Sequence, residues 1–310
     1  MNQSTRIGLL AAAAMLAGAA MAQSNSELNP NRHVQHRIND GSASNEAPTA
    51  GGTTSLSPIT NHGGPVMAGQ PNVHVIWYGN WNQTNGSDTP AGQQIIRDLI
   101  AGLSGSNYLG ITKSYSSTNG AVSGLLGTYN EGVDTGSQGT RLSDSRVQSI
   151  VQSYITKKGA ADPNAIYFVL TSTNVSESSG FCNQYCGWHT SATISGQVVK
   201  YSFVGNANRC LSSCAAQTIS PNGNPGVDGM ASVVSHELEE TLSDPQANAW
   251  YDASGAENAD KCAWTFGSHQ QTAANGSSYN QTLAGRNYLI QRNLSAVDSK
   301  CYTDYANKLQ

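Results

Sequence analysis

The segment "VDGMASVVSHELEETLSDP", residues 227–245, constrains this chain more than any other stretch. Residues 233–245 gather Glu237, Glu239, Glu240, Asp244 and His236, in a chain whose charged residues make up only 12% of the whole. Asp228 is a candidate helix cap and Pro245 stands just past the end, so the segment reads as one helix. Two outcomes fit such a helix. Either it carries a solvated acidic face, or it holds ligands and a base around a metal.

The rest of the chain narrows the setting. It opens with "MNQSTRIGLLAAAAMLAGAAMAQS", where Arg6 precedes an apolar run and Ala20-Met21-Ala22 forms a small-x-small cleavage site. Residues 1–22 therefore read as a secretory signal peptide. The run is shorter than the ~20 apolar residues of a membrane anchor, and no later segment is apolar enough to span a bilayer. Sixteen basic against twenty acidic residues give a formal net charge of −4 with no basic run. That excludes the electrostatic footprint of a nucleic-acid or anionic-lipid binder. Export, extracellular or periplasmic, follows from the leader.

Residues 23–60 are polar, with too few large apolar side chains to offset the entropy of ordering them. They read as a flexible leader, an ordinary linker in composition, with a removable pro-segment as the functional alternative. Order begins near "PNVHVIWYGNW", where Val73, Val75 and Trp77 alternate on a strand period. "TPAGQQIIRDLIAGL" follows as a helix capped by Thr89, with Pro90 in its first turn and Ile95, Ile96, Leu99, Ile100 and Leu103 on one face. A second helix spans "SDSRVQSIVQSYITKKG", stopped by Gly159. "NAIYFVLTS" and "GQVVKYSFVG" read as neighbouring strands, and the tail beyond 245 as loops with one strand at "RNYLIQ". The fold class expected is α/β: a single mixed-sheet domain over 61–310 with covering helices, zincin-like and disulfide-stabilised.

On the expected helix His236 and Glu240, four apart, share a face and Glu237 flanks them. The pattern H-E-x-x-E keeps the histidine and the catalytic glutamate of the zinc-peptidase H-E-x-x-H helix and replaces the second histidine with a carboxylate, a ligand zinc also accepts. A third ligand is expected in "DPQANAWYDASGAENADKC": Glu257 is the first choice, Asp260 the second, and Asp244 a further candidate. His189 in "CGWHT" joins them if its loop folds over the sheet. The competing cation is calcium, held through oxygen alone. No G-x-S-x-G elbow, P-loop or G-x-G-x-x-G is present, so serine-hydrolase and nucleotide chemistry have no support.

Six cysteines in an exported chain predict three disulfides. Cys262 and Cys301 both follow the helix and close the loop-rich tail, so they are expected to pair. Among Cys182, Cys186, Cys210 and Cys214, the favoured pairing ties the "CNQYC" loop to the "CLSSC" loop, with local pairs as the alternative.

The segments "NHGGPVMAGQPNVHVIWYGNW", "GFCNQYCGWH", "VGNANRCLSSCA", "PNGNPGVDGM" and "GRNYLIQRNLSAVDSKC" together resemble, in order, the blocks of the EXORDIUM-like, or phosphate-induced protein, family. The blocks span 61–301 and include all six cysteines. The resemblance implies a secreted protein, known in plants as a cell-wall factor linked to growth and nutrient signalling, without an established catalytic activity.

The combined expectation is a secreted EXORDIUM-like protein that binds zinc through His236, Glu240 and Glu257 or Asp260. Glu237 would act as the base and a peptide would be the substrate. The alternative is a non-catalytic extracellular protein that binds cell-wall carbohydrate or a receptor, with aromatics such as Trp188 and Trp250 stacking on sugars unless they lie in the core.

Overall fold

The computed structural model of the chain describes residues 57–310 together with the backbone of the strand Val34–His36. The expected signal peptide and most of the expected leader lie outside the described residues. Six strands form the central sheet: β1 (Val34–His36), β2 (Asn72–Tyr78), β3 (Tyr129–Asp134), β4 (Ala165–Thr171), β5 (Tyr185–Ile194) and β6 (Gln197–Val204). Their order is β1-β5-β6-β4-β2-β3. β3, β2, β4 and β6 run parallel to their neighbours, whereas β5 forms an antiparallel hairpin with β6 and β1 pairs antiparallel with β5. This is a mixed sheet, as expected.

Its centre is apolar on both faces, since all seven residues of β4 are buried and so are Val73, Val75, Ile76, Trp77 and Tyr78 of β2. Burial on both sides requires cover on both sides. Helix α1 (Pro90–Leu103) provides part of it: Thr89 accepts the Gly92 N–H at 3.1 Å, and Ile95, Ile96, Leu99, Ile100 and Leu103 are buried. Helix α2 (Asp144–Lys158) packs on β4 and β6 through Val147, Ile150, Val151 and Tyr154, and ends at Gly159 with φ of 97°. That left-handed φ is where a helix stop favours glycine.

Helix α3 (Pro225–Ser243) packs against α1, β5 and β6. It begins a turn earlier than Asp228. Asn224 is the cap, its side chain accepting the Val227 N–H at 3.2 Å, because Pro225 fits the first helical position and needs no N–H partner. Asp228 instead accepts from the Asn222 backbone at 3.1 Å.

The three disulfides are Cys182–Cys210, Cys186–Cys214 and Cys262–Cys301. The first two tie the loop before β5 and the start of β5 to Cys210 and to the helical turn Leu211–Cys214, which is the favoured loop-to-loop pairing; the third closes the tail. The tail is not one strand among loops but a set of short ladders, in which only Arg286–Tyr288 of "RNYLIQ" pairs, with Gln281–Leu283. The packed body also takes in the last leader residues: Ile59 is buried and Thr60–Asn61 pair with Trp250–Tyr251. No helix among the described residues is long and apolar enough to cross a membrane.

Candidate metal centre

A helix with a solvated acidic face is excluded by burial. From Gly226 to Ser243 every residue of α3 is buried, and His236, Glu237, Glu239 and Glu240 are each 0% exposed. The carboxylates divide into two groups. Glu239 faces Tyr108, Tyr115 and Asn293; burial pushes its carboxyl well above the usual range, and burial with the Glu239 charge pushes both phenols up.

The other group turns toward β5 and the segment after the helix. His236 Nε2 lies 3.0 Å from Glu240 Oε1 and 3.6 Å from Asp260 Oδ1. Asp260 is held there by its own backbone, whose N–H donates to Glu240 Oε1 at 3.1 Å. From the sheet side, His189 on β5 brings Nε2 to 3.6 Å from Glu240 Oε2 and 3.0 Å from Glu257 Oε2. Glu240 therefore joins two triads whose ligand atoms lie within 4.8 Å of one another: His236, Glu240 and Asp260, and His189, Glu237 and Glu240.

Local sequence explains how β5 comes so close. A Cβ on Gly187 would stand 2.6 Å from Val233 Cγ1 and 3.1 Å from Glu237 Oε1, so only glycine lets the strand lie on the helix there. After α3, Asp244 accepts the N–H groups of Asn248 and Ala249, both at 2.7 Å, and so turns the chain back. An ion pair between Asp252 and Lys261, together with the Cys262–Cys301 disulfide, holds the 252–262 loop that presents Glu257 and Asp260.

The electrostatics are those of crowded acids without bulk water. Burial, then the neighbouring Asp260 charge, raises Glu240 to about 7, while His236 pulls it back. Burial and Glu240 push Glu237 well above the ordinary carboxylate range. Burial, Asp244 and Glu240 do the same to Glu257. Burial disfavours a charged His236 ring, but Glu240 and Asp260 outweigh it and lift its pKa well above the usual value. Among the described residues, neither Glu237 oxygen receives a hydrogen bond, nor does either His236 ring nitrogen make one of good geometry.

His236, Glu237, Glu240, Glu257, Asp260 and His189 thus come together, with one regrouping, whereas Asp244 does not. Asp260, the second choice, stands with His236 and Glu240, whereas Glu257 stands against His189. Asp244 serves the turn. His189 arrives on a strand rather than a folded-over loop, and its sequence signal was only its proximity to Cys186. Trp188 lies in the core, stacked on Phe203, and Trp250 is half-buried against Tyr115, with its indole N–H donating to the Ser116 carbonyl at 2.9 Å. A sugar platform therefore finds no support at Trp188.

A mixed α/β domain with three disulfides and a buried His/carboxylate cluster is the class that these features define. Residues 59–304 match the phosphate-induced protein 1 conserved region, and the chain belongs to that EXORDIUM-like family. It is 31% identical to Protein EXORDIUM-like 3 of Arabidopsis thaliana, over 81% of this chain and 84% of that one. It is also 31% identical to EXORDIUM-like 5 of the same plant, over 70% and 67%, and 26% identical to Protein PHOSPHATE-INDUCED 1 of Nicotiana tabacum, over 78% and 87%. No solved structure matches the chain. The disulfides and the family relatives are consistent with an extracellular protein.

Proposed function

We propose that the buried cluster is a zinc site and that the protein is a secreted, zincin-like hydrolase acting on peptide bonds. One observation carries the reading. Four carboxyl groups, Glu237, Glu240, Glu257 and Asp260, meet only two imidazoles, His189 and His236, in a region where all but Asp260 are at most 1% exposed. Even with both rings protonated, two negative charges remain, and uncompensated buried charge costs several kcal/mol, on the order of a folded domain's whole stability. Without a cation the cluster can balance only by taking up protons, which is the direction of every shift in it. A divalent cation supplies the same charge and releases those protons.

The donor set supports zinc over calcium. Calcium takes oxygen ligands alone, whereas zinc accepts imidazole nitrogen and carboxylate oxygen together. His236, Glu240 and Asp260 are the residues that would hold the ion. When bound, zinc would polarise a substrate carbonyl and make a water acidic near neutrality. Glu237, one residue from His236 and without a hydrogen-bond donor among the described residues, would take the proton of the attacking water and pass it to the leaving amine. His189, beside Glu237 and Glu240 and with its Nε2 held by Glu257, would supply a second imidazole at the site.

The test is hydrolysis of a fluorogenic peptide library by the purified mature protein. Activity that disappears with chelator, returns with zinc and is absent in Glu237→Gln supports the reading. Zinc-loaded protein that hydrolyses no peptide, or Glu237→Gln as active as the parent, would contradict it.

A further inference from the structure

The site just described is closed. His189, His236, Glu237, Glu240 and Glu257 are at most 1% exposed, so no peptide reaches them in this arrangement of the chain. Something beside the site must move before it can act.

The leader strand is the element placed to do so. Residues Val34, Gln35 and His36 of β1 pair antiparallel with Trp188, Gly187 and Tyr185 of β5. Gln35 thus stands opposite Gly187, the position at which β5 rests on Glu237. The Cα atoms of β1 also come within 8 Å of α3. The other side of β5 is taken by β6, so β1 occupies the outer edge of the sheet where it borders the cluster. Beyond Trp188 no strand among the described residues pairs with that edge.

An outer strand edge offers a row of backbone N–H and C=O groups, which an extended peptide satisfies by adding as a further strand. The pairing with β1 is that mode of binding made in cis. Neighbouring strands lie about 4.8 Å apart, so a chain on this edge lies one strand spacing from Gly187, the residue of β5 that rests on Glu237. Its hold is slight. Three residues contribute few backbone hydrogen bonds, each worth about 1 kcal/mol net, and the ladder persists because the tether keeps the segment at roughly millimolar effective concentration.

We infer that the leader is an autoinhibitory strand: Val34–His36 fills the β5 edge that a peptide substrate would use, and cutting the leader opens that edge. The inference rests on the peptide-hydrolase reading for its purpose, but its test does not. A site-specific protease sequence is inserted between Ala50 and Gly51, so that the full mature chain folds first and is then cut and passed through gel filtration. The probe is a fluorescein-labelled decapeptide with the sequence of residues 31–40, "NRHVQHRIND", followed by anisotropy with zinc present and again with EDTA. The cut protein should bind it at least about tenfold more tightly than the intact protein, and hydrogen exchange at Tyr185–Trp188 should quicken after the cut. Equal binding before and after, no binding after, or unchanged exchange would each overturn the inference. A protein that holds no zinc yet gains peptide binding on cutting would sink the hydrolase reading and leave the leader's role standing.

Discussion

Glu240 is the side chain on which the two halves of the site depend: one oxygen meets His236 and the Asp260 N–H, the other approaches His189. Glu240→Ala and His236→Ala should therefore each weaken zinc binding by more than the roughly 10–100-fold expected for removing a mere supporting partner. Competition with a fluorescent chelator measures this directly. Asp260→Ala should weaken it more than Glu257→Ala does, since Asp260 shares a triad with His236 and Glu257 does not. The reverse order would transfer the ligand role to Glu257. Glu237→Gln keeps size and shape, so zinc should stay bound while hydrolysis falls by about 10²-fold or more. At this scale the sequence was informative about which residues matter and silent about their grouping. Helical spacing put His236 and Glu240 on one face, but the choice between Glu257 and Asp260 depends on the turn that Asp244 makes, which no periodicity encodes.

At the scale of elements, the contact between β5 and α3 sets the depth of the site. Gly187→Ala would force a Cβ against Val233 and to 3.0 Å from the Phe203 carbonyl oxygen. We expect about 1–3 kcal/mol of destabilisation in urea unfolding together with loss of zinc. Unchanged metal content in this variant would show that the strand does not set the site. The 252–262 loop gives a pH dependence with a definite sign. Burial works to raise Asp252, but Lys261 and the N–H groups of Ser254 and Ala256 outweigh it and hold the carboxyl at about 2, below its ordinary 3.8. A depressed carboxyl contributes stability above its unfolded pKa and loses it as pH falls. The contribution of this pair should therefore fade between about pH 4 and pH 2, and Asp252→Asn should show a flatter stability profile in that window. The helices and central strands were legible because burial on one face leaves a period of 3.6 and burial on both leaves an unbroken apolar run. β5 was not legible. "YCGWHTSATI" mixes glycine, cysteine and hydroxyl residues, and its strand state comes from pairing with β6 rather than from its own pattern.

Across the whole molecule, the cysteines were the most readable feature, since the export expected from the signal peptide calls for pairing and the spacing limits the choices. The Cys262–Cys301 bridge joins positions 39 apart in a tail made of short ladders, and removing it should cost about 4 kcal/mol on the chain-entropy estimate. Because it ends the loop that presents Glu257 and Asp260, the Cys262→Ser, Cys301→Ser double variant should also lose zinc affinity, read by isothermal titration. What the sequence could not convey was burial: a carboxylate-rich helix reads the same whether solvent or a sheet covers it, and only the packing of α3 on β5 and β6, with the 252–262 loop brought against it, makes Glu237, Glu240, Glu257 and Asp260 a metal-site candidate. The most direct test is elemental analysis of the mature protein purified without added metal. It should find one tightly held zinc per chain, removed by chelation and missing from His236→Ala. A folded protein that carries calcium or no metal, and takes up no zinc when it is offered, would contradict the zinc reading.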